Sequence, residues 1–249
     1  MPSVSAQITA RMEAMADATQ AAHLSRFFQT APGQYGYGDK FLGIRVPDTR
    51  AIVKELGREC TIADVDALTS SPWHELRLAG FLLLIGLFRK CRRDVIRKKE
   101  IVDYYLSILH RGNNWDLVDL VAPKILGEWV LAFPPERDIL FRLADREGEL
   151  WHQRVAVVST WTLIRGGRTA EAVELCTRLL AHPHHLMHKA TGWMLREVGK
   201  HGAMNELMAF LDTYAAVMPR TMLRYAIERL PEELRRHYLS VRRNVNICQ

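Results

Sequence analysis

The chain has 249 residues, with 34 Lys and Arg against 28 Asp and Glu, so its formal charge is +6 with histidine neutral and its pI is about 9.3. A hydrophobic content of 48% is too high for a disordered chain, and 15 Gly with 10 Pro exclude a collagen-like or linker-dominated architecture. The basic excess admits a polyanionic partner and fits an ordinary solvated surface equally well.

Ala, Leu, Arg, Glu and Met recur at i, i+3 and i+4, and alternating runs of Val, Ile and Thr are nearly absent, which predicts an all-α chain. Helices are expected at 4–30 with a candidate break near 19, then at 48–59, 61–70, 72–90, 94–111, 114–132, 135–146, 149–166, 168–181, 184–200, 203–217, 219–230 and 231–242. Caps and first-turn prolines support several starts: Pro47-Asp48, Ser71-Pro72, Pro134-Pro135-Glu136 and Pro219. The one long turn-rich stretch is APGQYGYGDK at 31–40. No composition shift marks a second domain, so 1–249 reads as a single helical domain. The longest apolar run, LAGFLLLIGLF at 78–88, is too short to span a bilayer and reads as a buried helix core.

Cys60, Cys91, Cys176 and Cys248 are scattered and form no CxxC pair, which suits a reducing compartment. The N-terminus carries no apolar signal-peptide region, so the cytoplasm is the expected location.

A repeat is the most informative pattern. Four helices share a base followed by small and apolar residues: Arg77-Leu-Ala-Gly, Arg154-Val-Ala-Val, Lys189-Ala-Thr-Gly and Arg224-Tyr-Ala-Ile. Arg154, Lys189 and Arg224 are spaced at equal intervals of 35 residues, and the midpoint between Arg77 and Arg154 falls at Trp115. That period suits one helix pair per repeat, as in a superhelical solenoid of HEAT-like repeats. Equivalent positions then line up along one concave basic groove: Arg77, Trp115, Arg154, Lys189 and Arg224.

The slot held by Trp115 carries the candidate chemistry. In NNWDLVDLV, Asn113 or Asn114 suits an N-cap, Leu117, Leu120, Val121 and Ile125 share one side, and Trp115 and Asp119 share the other, one turn apart. These two residues would also serve structure alone, Trp115 by packing on a neighbouring repeat and Asp119 as a helix charge. Lys189 and Trp193 are likewise four apart and face away from Met187, Ala190, Met194 and Val198. Bases neutralise phosphates, tryptophan faces favour cations, and a carboxylate stabilises the oxocarbenium-like sugar formed when an N-glycosidic bond breaks. A base already cationic through alkylation leaves without protonation, so one carboxylate suffices.

The segments NWDLVD (114–119), LWHQRVA (150–156) and HKATGWMLRE (188–197), with FLGIRVP (41–47) and MPRTMLRYAIE (218–228), resemble the AlkD family of HEAT-like-repeat alkylpurine DNA glycosylases over roughly residues 20–230. The resemblance implies excision of cationic N3- and N7-alkylated purines from double-stranded DNA by a monomer with no metal or cofactor, nucleoid-associated when bound. It implies that Asp119 is the catalytic aspartate, that Trp115 and Trp193 flank the damaged nucleotide, and that Arg154 binds phosphate. Lys189, Arg77 and Arg224 are expected to hold DNA on the repeat register. It also implies action without drawing the base into a closed pocket. Asn114 stands where some members carry another aromatic and Phe27 where some carry tyrosine, departures that bear on substrate range. The other reading is a non-catalytic HEAT-like module that binds DNA or protein, in which an acid among phosphate ligands would serve no purpose.

Four further signals rank lower. The run RKCRRDVIRKK at 89–99 and the arginine-rich tail at 219–243 read as phosphate contacts or as solvated helix ends. His182, His184, His185 and His188 lack HExxH spacing and read as a polar loop and helix start. Gly33, Gly36 and Gly38 do not form a phosphate loop, and Tyr35 and Tyr37 are expected to close a turn over the first helices.

Overall fold

A computed structural model describes residues 2–242, so Arg243 and Cys248 lie outside the described residues. The described residues form fifteen α-helices and four short 3₁₀ segments, with one isolated bridge between Lys40 and Trp73. The chain is all-α, as its periodicity predicts. No helix among the described residues is long and apolar enough to cross a membrane. Two compact units divide between Val121 and Ala122.

In the first unit the helices are α1 (Val4–Glu13), α2 (Ala18–Phe27), α3 (Val46–Leu56), α4 (Ile62–Thr69), α5 (His74–Lys90), α6 (Val95–Ser107) and α7 (Trp115–Val121). Side chains hydrogen-bonding to the first-turn N–H groups set several starts. Asp17 accepts from Thr19 and Gln20 and begins α2, so the break in the 4–30 segment falls just before 18. Thr61 and Asp64 form a capping box on α4, and Asp64 also accepts from the Ser5 N–H and hydroxyl, tying α1 to α4. The apolar run at 78–88 lies on α5, the centre of this unit, which packs on α1, α3, α4, α6 and α7. The polar first turns of this helix face the loop at 39–44, where His74 N–H donates to the Lys40 carbonyl at 2.8 Å.

In the second unit α8 (Leu126–Ala132), α10 (Leu150–Arg165), α12 (His185–Lys200) and α14 (Arg220–Ala226) form a row, each touching the next. Behind them α9 (Asp138–Ala144), α11 (Ala170–Arg178) and α13 (Met204–Tyr214) pack on α10 and α12. The last helix, α15 (Glu232–Ser240), is tied down by Tyr238, whose hydroxyl donates to Asp212 at 2.6 Å, and by Arg220 donating to the Leu239 carbonyl at 2.6 Å.

The repeat acquires a physical meaning in these rows. Arg154, Lys189 and Arg224 fall on three helices of that row, α10, α12 and α14, while Arg77 and Trp115 fall on α5 and α7 of the first unit. Two residues after each base, Ala79, Ala156, Thr191 and Ala226 are buried at the helix contacts. Three residues after, Gly192 lets α12 meet α14: a Cβ there would lie 2.5 Å from the Met222 carbonyl oxygen. The motif therefore records how close the helices pack, as well as where a base stands.

The expected single helix over 114–132 is broken. Pro123 has no N–H and its ring opposes the carbonyl four residues earlier, so α7 ends at Val121 and a 3₁₀ turn, Ala122–Lys124, precedes α8.

Candidate nucleic-acid interface

The residues of α7 stand much as their periodicity predicts. Leu117, Val118 and Val121 are buried, while Trp115 and Asp119 are half-buried on the other side. Leu120, expected in the core, is only half-buried. Asn114 occupies the position before the helix, where its side-chain oxygen accepts the Trp115 N–H at 2.9 Å and its carbonyl receives Val118. It is fully buried. Asp119 lies near the buried Tyr105, whose phenol is held well above its usual range by burial first and by the Asp119 charge second.

Trp115 sits at the edge of an aromatic group. Phe28 lies 5.4 Å from it, and Phe28 in turn stacks on Phe41 at 5.3 Å. Phe41 stacks on the His74 ring at 4.7 Å. Phe27, at the end of α2 and 57% exposed, meets Trp115 edge-on at 6.0 Å. These contacts fix the ring while leaving part of its surface open. The glycine-rich loop supports them, because Gly36 packs so tightly that a Cβ would lie 2.3 Å from the Phe28 carbonyl oxygen.

Beneath the aromatics lies a charged cluster that sequence reasoning missed. His74 donates from Nδ1 to Asp39 and from Nε2 to Asp116, each at 2.8 Å. Both partners are carboxylate oxygens, so both ring nitrogens carry protons and the ring is an imidazolium. Burial opposes that charge, but the hydrogen bonds and charges of Asp116 and Asp39 outweigh it and push the His74 pKa up to about 9. Arg77 pairs with Asp39, and it donates to Asn113 at 3.0 Å and to the Ser71 carbonyl at 3.0 Å. Burial would raise the Asp39 pKa, yet His74 and Arg77 together hold it below the usual carboxylate range. The four charges, two of each sign, balance. Their separations of 35 and 42 residues along the chain explain why no local pattern exposes the cluster.

Arg77 therefore differs from its expected place. It is 6% exposed and its guanidinium grips Asp39 and the turn before α7, so it is turned inward and away from a phosphate. The desolvation of an arginine is offset only by such partners, and Asp39 supplies them.

In the second unit Lys189 and Trp193 are half-buried on α12, and Arg224 on α14 is exposed. Glu197, one turn after Trp193, is 4% exposed. Burial would raise its pKa, but Lys200, Arg196 and the Trp193 indole hold it low, so the indole is oriented by a buried carboxylate. Arg154 on α10 is also buried and donates to the Leu186 carbonyl at 2.6 Å, bracing the first turn of α12.

The histidines at 182–188 form the expected helix start. His184 accepts the Leu186 N–H at 3.1 Å and His182 accepts the His184 N–H at 3.0 Å. Burial and the neighbouring positive charges push the His184 pKa down to about 4, which keeps this acceptor unprotonated. Among the described residues no group of three or more His, Cys, Asp or Glu side chains is placed to hold a metal ion. In the 89–99 run, Arg89, Lys90, Arg92, Arg93 and Arg97 are exposed, and Lys98 lies over the Phe88 ring at 5.0 Å.

No curated protein matches the chain. A solved structure, a predicted DNA alkylation repair enzyme from Enterococcus faecalis, shares the fold with a TM-score of 0.70 at 19% identity, over 87% of this chain and 97% of that one. The family of DNA alkylation repair enzymes matches residues 8–230. With nearly its whole length matched, the chain belongs to the DNA alkylation repair enzyme family.

Proposed function

We propose that the protein is a monofunctional DNA glycosylase that releases cationic N3- or N7-alkylated purines from duplex DNA. The observation that carries this reading is the pairing of Trp115 and Asp119, one turn apart on the half-open side of α7, in a chain of the DNA alkylation repair family. As the C1′–N bond breaks, its electron pair neutralises the departing base and the sugar becomes an oxocarbenium-like cation. The Asp119 carboxylate stabilises that cation and orients a water. The water oxygen bonds to C1′ and its proton passes to the carboxylate or solvent, leaving free base and an abasic sugar. The Trp115 face adds a cation-favouring surface. In the second unit Trp193 meets the nucleotide, and Lys189 and Arg224 neutralise phosphates.

The test is release of 7-methylguanine or 3-methyladenine from methylated duplex DNA. No release by the wild-type protein overturns the glycosylase reading in favour of a non-catalytic DNA- or protein-binding module.

Arg154 has two possible roles, and one measurement separates them. Arg154→Ala is expected to weaken duplex binding. If Arg154 meets a phosphate, the slope of log affinity against log salt falls by about one. If it only braces α12 through Leu186, affinity drops with the slope unchanged, and the phosphate role is refuted.

A further inference from the structure

We infer that His74 is a positioning residue for the reaction: clamped between Asp39 and Asp116, it sets the first turn of α7 and with it the direction in which Trp115 and Asp119 are presented. This rests on the proposed glycosylase reading, in which those two residues meet the sugar cation.

In the first turn of the seven-residue α7, Asp116 accepts through one oxygen, Oδ2, from His74 Nε2 at 2.8 Å, while the buried Oδ1 has no hydrogen-bond partner. The other end of the clamp is rigid, because Asp39 is buried and bonded to Arg77, which also holds Asn113 in the turn leading into α7. Asp116 and Asp119 are three residues apart and therefore neighbours on the helix surface, where two like charges repel. The imidazolium neutralises Asp116 and so relieves that repulsion beside Asp119. Charge and position are thus coupled in one side chain.

The groups facing His74 are Asp39 from the loop at 39–44, Asp116 from α7 and Arg77 from its own helix, and the rings of Phe28 and Phe41 pack against it. Loss of the His74 proton leaves one ring nitrogen lone pair against a carboxylate, which breaks one end of the clamp. The pKa of about 9 places that event above neutrality.

The experiment uses the full chain labelled with 5-fluorotryptophan, with the Trp115 ¹⁹F resonance assigned by Trp115→Phe. In the wild type that resonance is expected to move with a midpoint near 9 as pH rises from about 7 to 10.5. In His74→Gln it is displaced at pH 7 and no longer titrates there. Single-turnover release of 7-methylguanine by His74→Gln falls roughly tenfold or more, while affinity for a duplex with an abasic site stays within about threefold, because misplacement of a reacting group costs rate before binding. A flat wild-type titration, or a His74→Gln rate within about twofold of wild type, overturns the inference. If the wild type releases no base, the glycosylase reading fails, and the Trp115 titration still decides whether His74 positions α7. Should His74→Gln not fold, Asp116→Ala removes the acceptor of the clamp at the α7 end alone. It is expected to displace the Trp115 resonance and slow release, and no change in either overturns the inference.

Discussion

Asp119→Asn is expected to lower single-turnover release of 7-methylguanine by at least roughly 100-fold, about 3 kcal/mol of transition-state stabilisation. The substitution keeps the shape of a half-buried side chain and removes only its charge. Binding to an abasic duplex is expected to hold or tighten, because the lost carboxylate repels phosphate as well as attracting a cation. Loss of rate with binding intact is the signature of an interaction made mainly in the transition state. A variant that releases base within about threefold of the wild-type rate would remove Asp119 from the mechanism and leave the family assignment untouched.

The largest effect on folding is expected at Glu75. Its carboxylate, 2% exposed, accepts the backbone N–H groups of Leu42 at 2.9 Å, Gly43 at 2.9 Å and Ile44 at 3.2 Å. These three donors turn inward because Gly43 adopts φ +89°, and because a side chain there would strike the Asp17 carbonyl at the start of α2. Glu75→Ala leaves three buried N–H groups unpaired and should cost about 3–5 kcal/mol in urea unfolding. Glu75→Gln should fall between, because its oxygen can still serve Gly43 and Ile44 while its amide meets Leu42 donor to donor. An Ala variant within about 1 kcal/mol of wild type would show that water replaces the carboxylate.

His74 gives the same unit a pH-dependent stability. Its folded pKa, about 9, lies above the unfolded value near 6.5, so its contribution is complete below about pH 6.5 and is lost as pH rises through 9. Unfolding midpoints are expected to fall over that window in the wild type, and to fall less in His74→Gln. Equal slopes in the two proteins would contradict the shift.

What the sequence disclosed followed from local rules. Period and caps gave the helices, and the outward pair Trp115 and Asp119 emerged because one helical turn separates them. The base-and-small-residue repeat was legible because tight helix contacts demand small side chains at fixed offsets, as Gly192 illustrates. The clamp of Asp39, His74 and Asp116 escaped notice because each member looks ordinary in its own segment and only folding joins them. Arg77 was misplaced for the same reason: the repeat register marks its helix position but not the acid that draws it inward. The break at Pro123 was legible in principle, since a proline inside a helical pattern ends or kinks it.

That break has an electrical consequence. Ending α7 at Val121 puts Asp119 in the last turn of a seven-residue helix, at the end where backbone carbonyls lack partners within the helix. Such an end carries roughly half a negative charge, favouring a nearby cation by about 0.3–1 kcal/mol and disfavouring an added carboxylate by a similar amount. Had the helix run on through 132, that negative pole would have moved 11 residues away. The proline thus gives the region around Asp119 a main-chain field of the same sign as its side chain, a contribution that survives when the carboxylate is replaced by an amide. Residual base release by Asp119→Asn would then have a physical source in the peptide dipoles themselves.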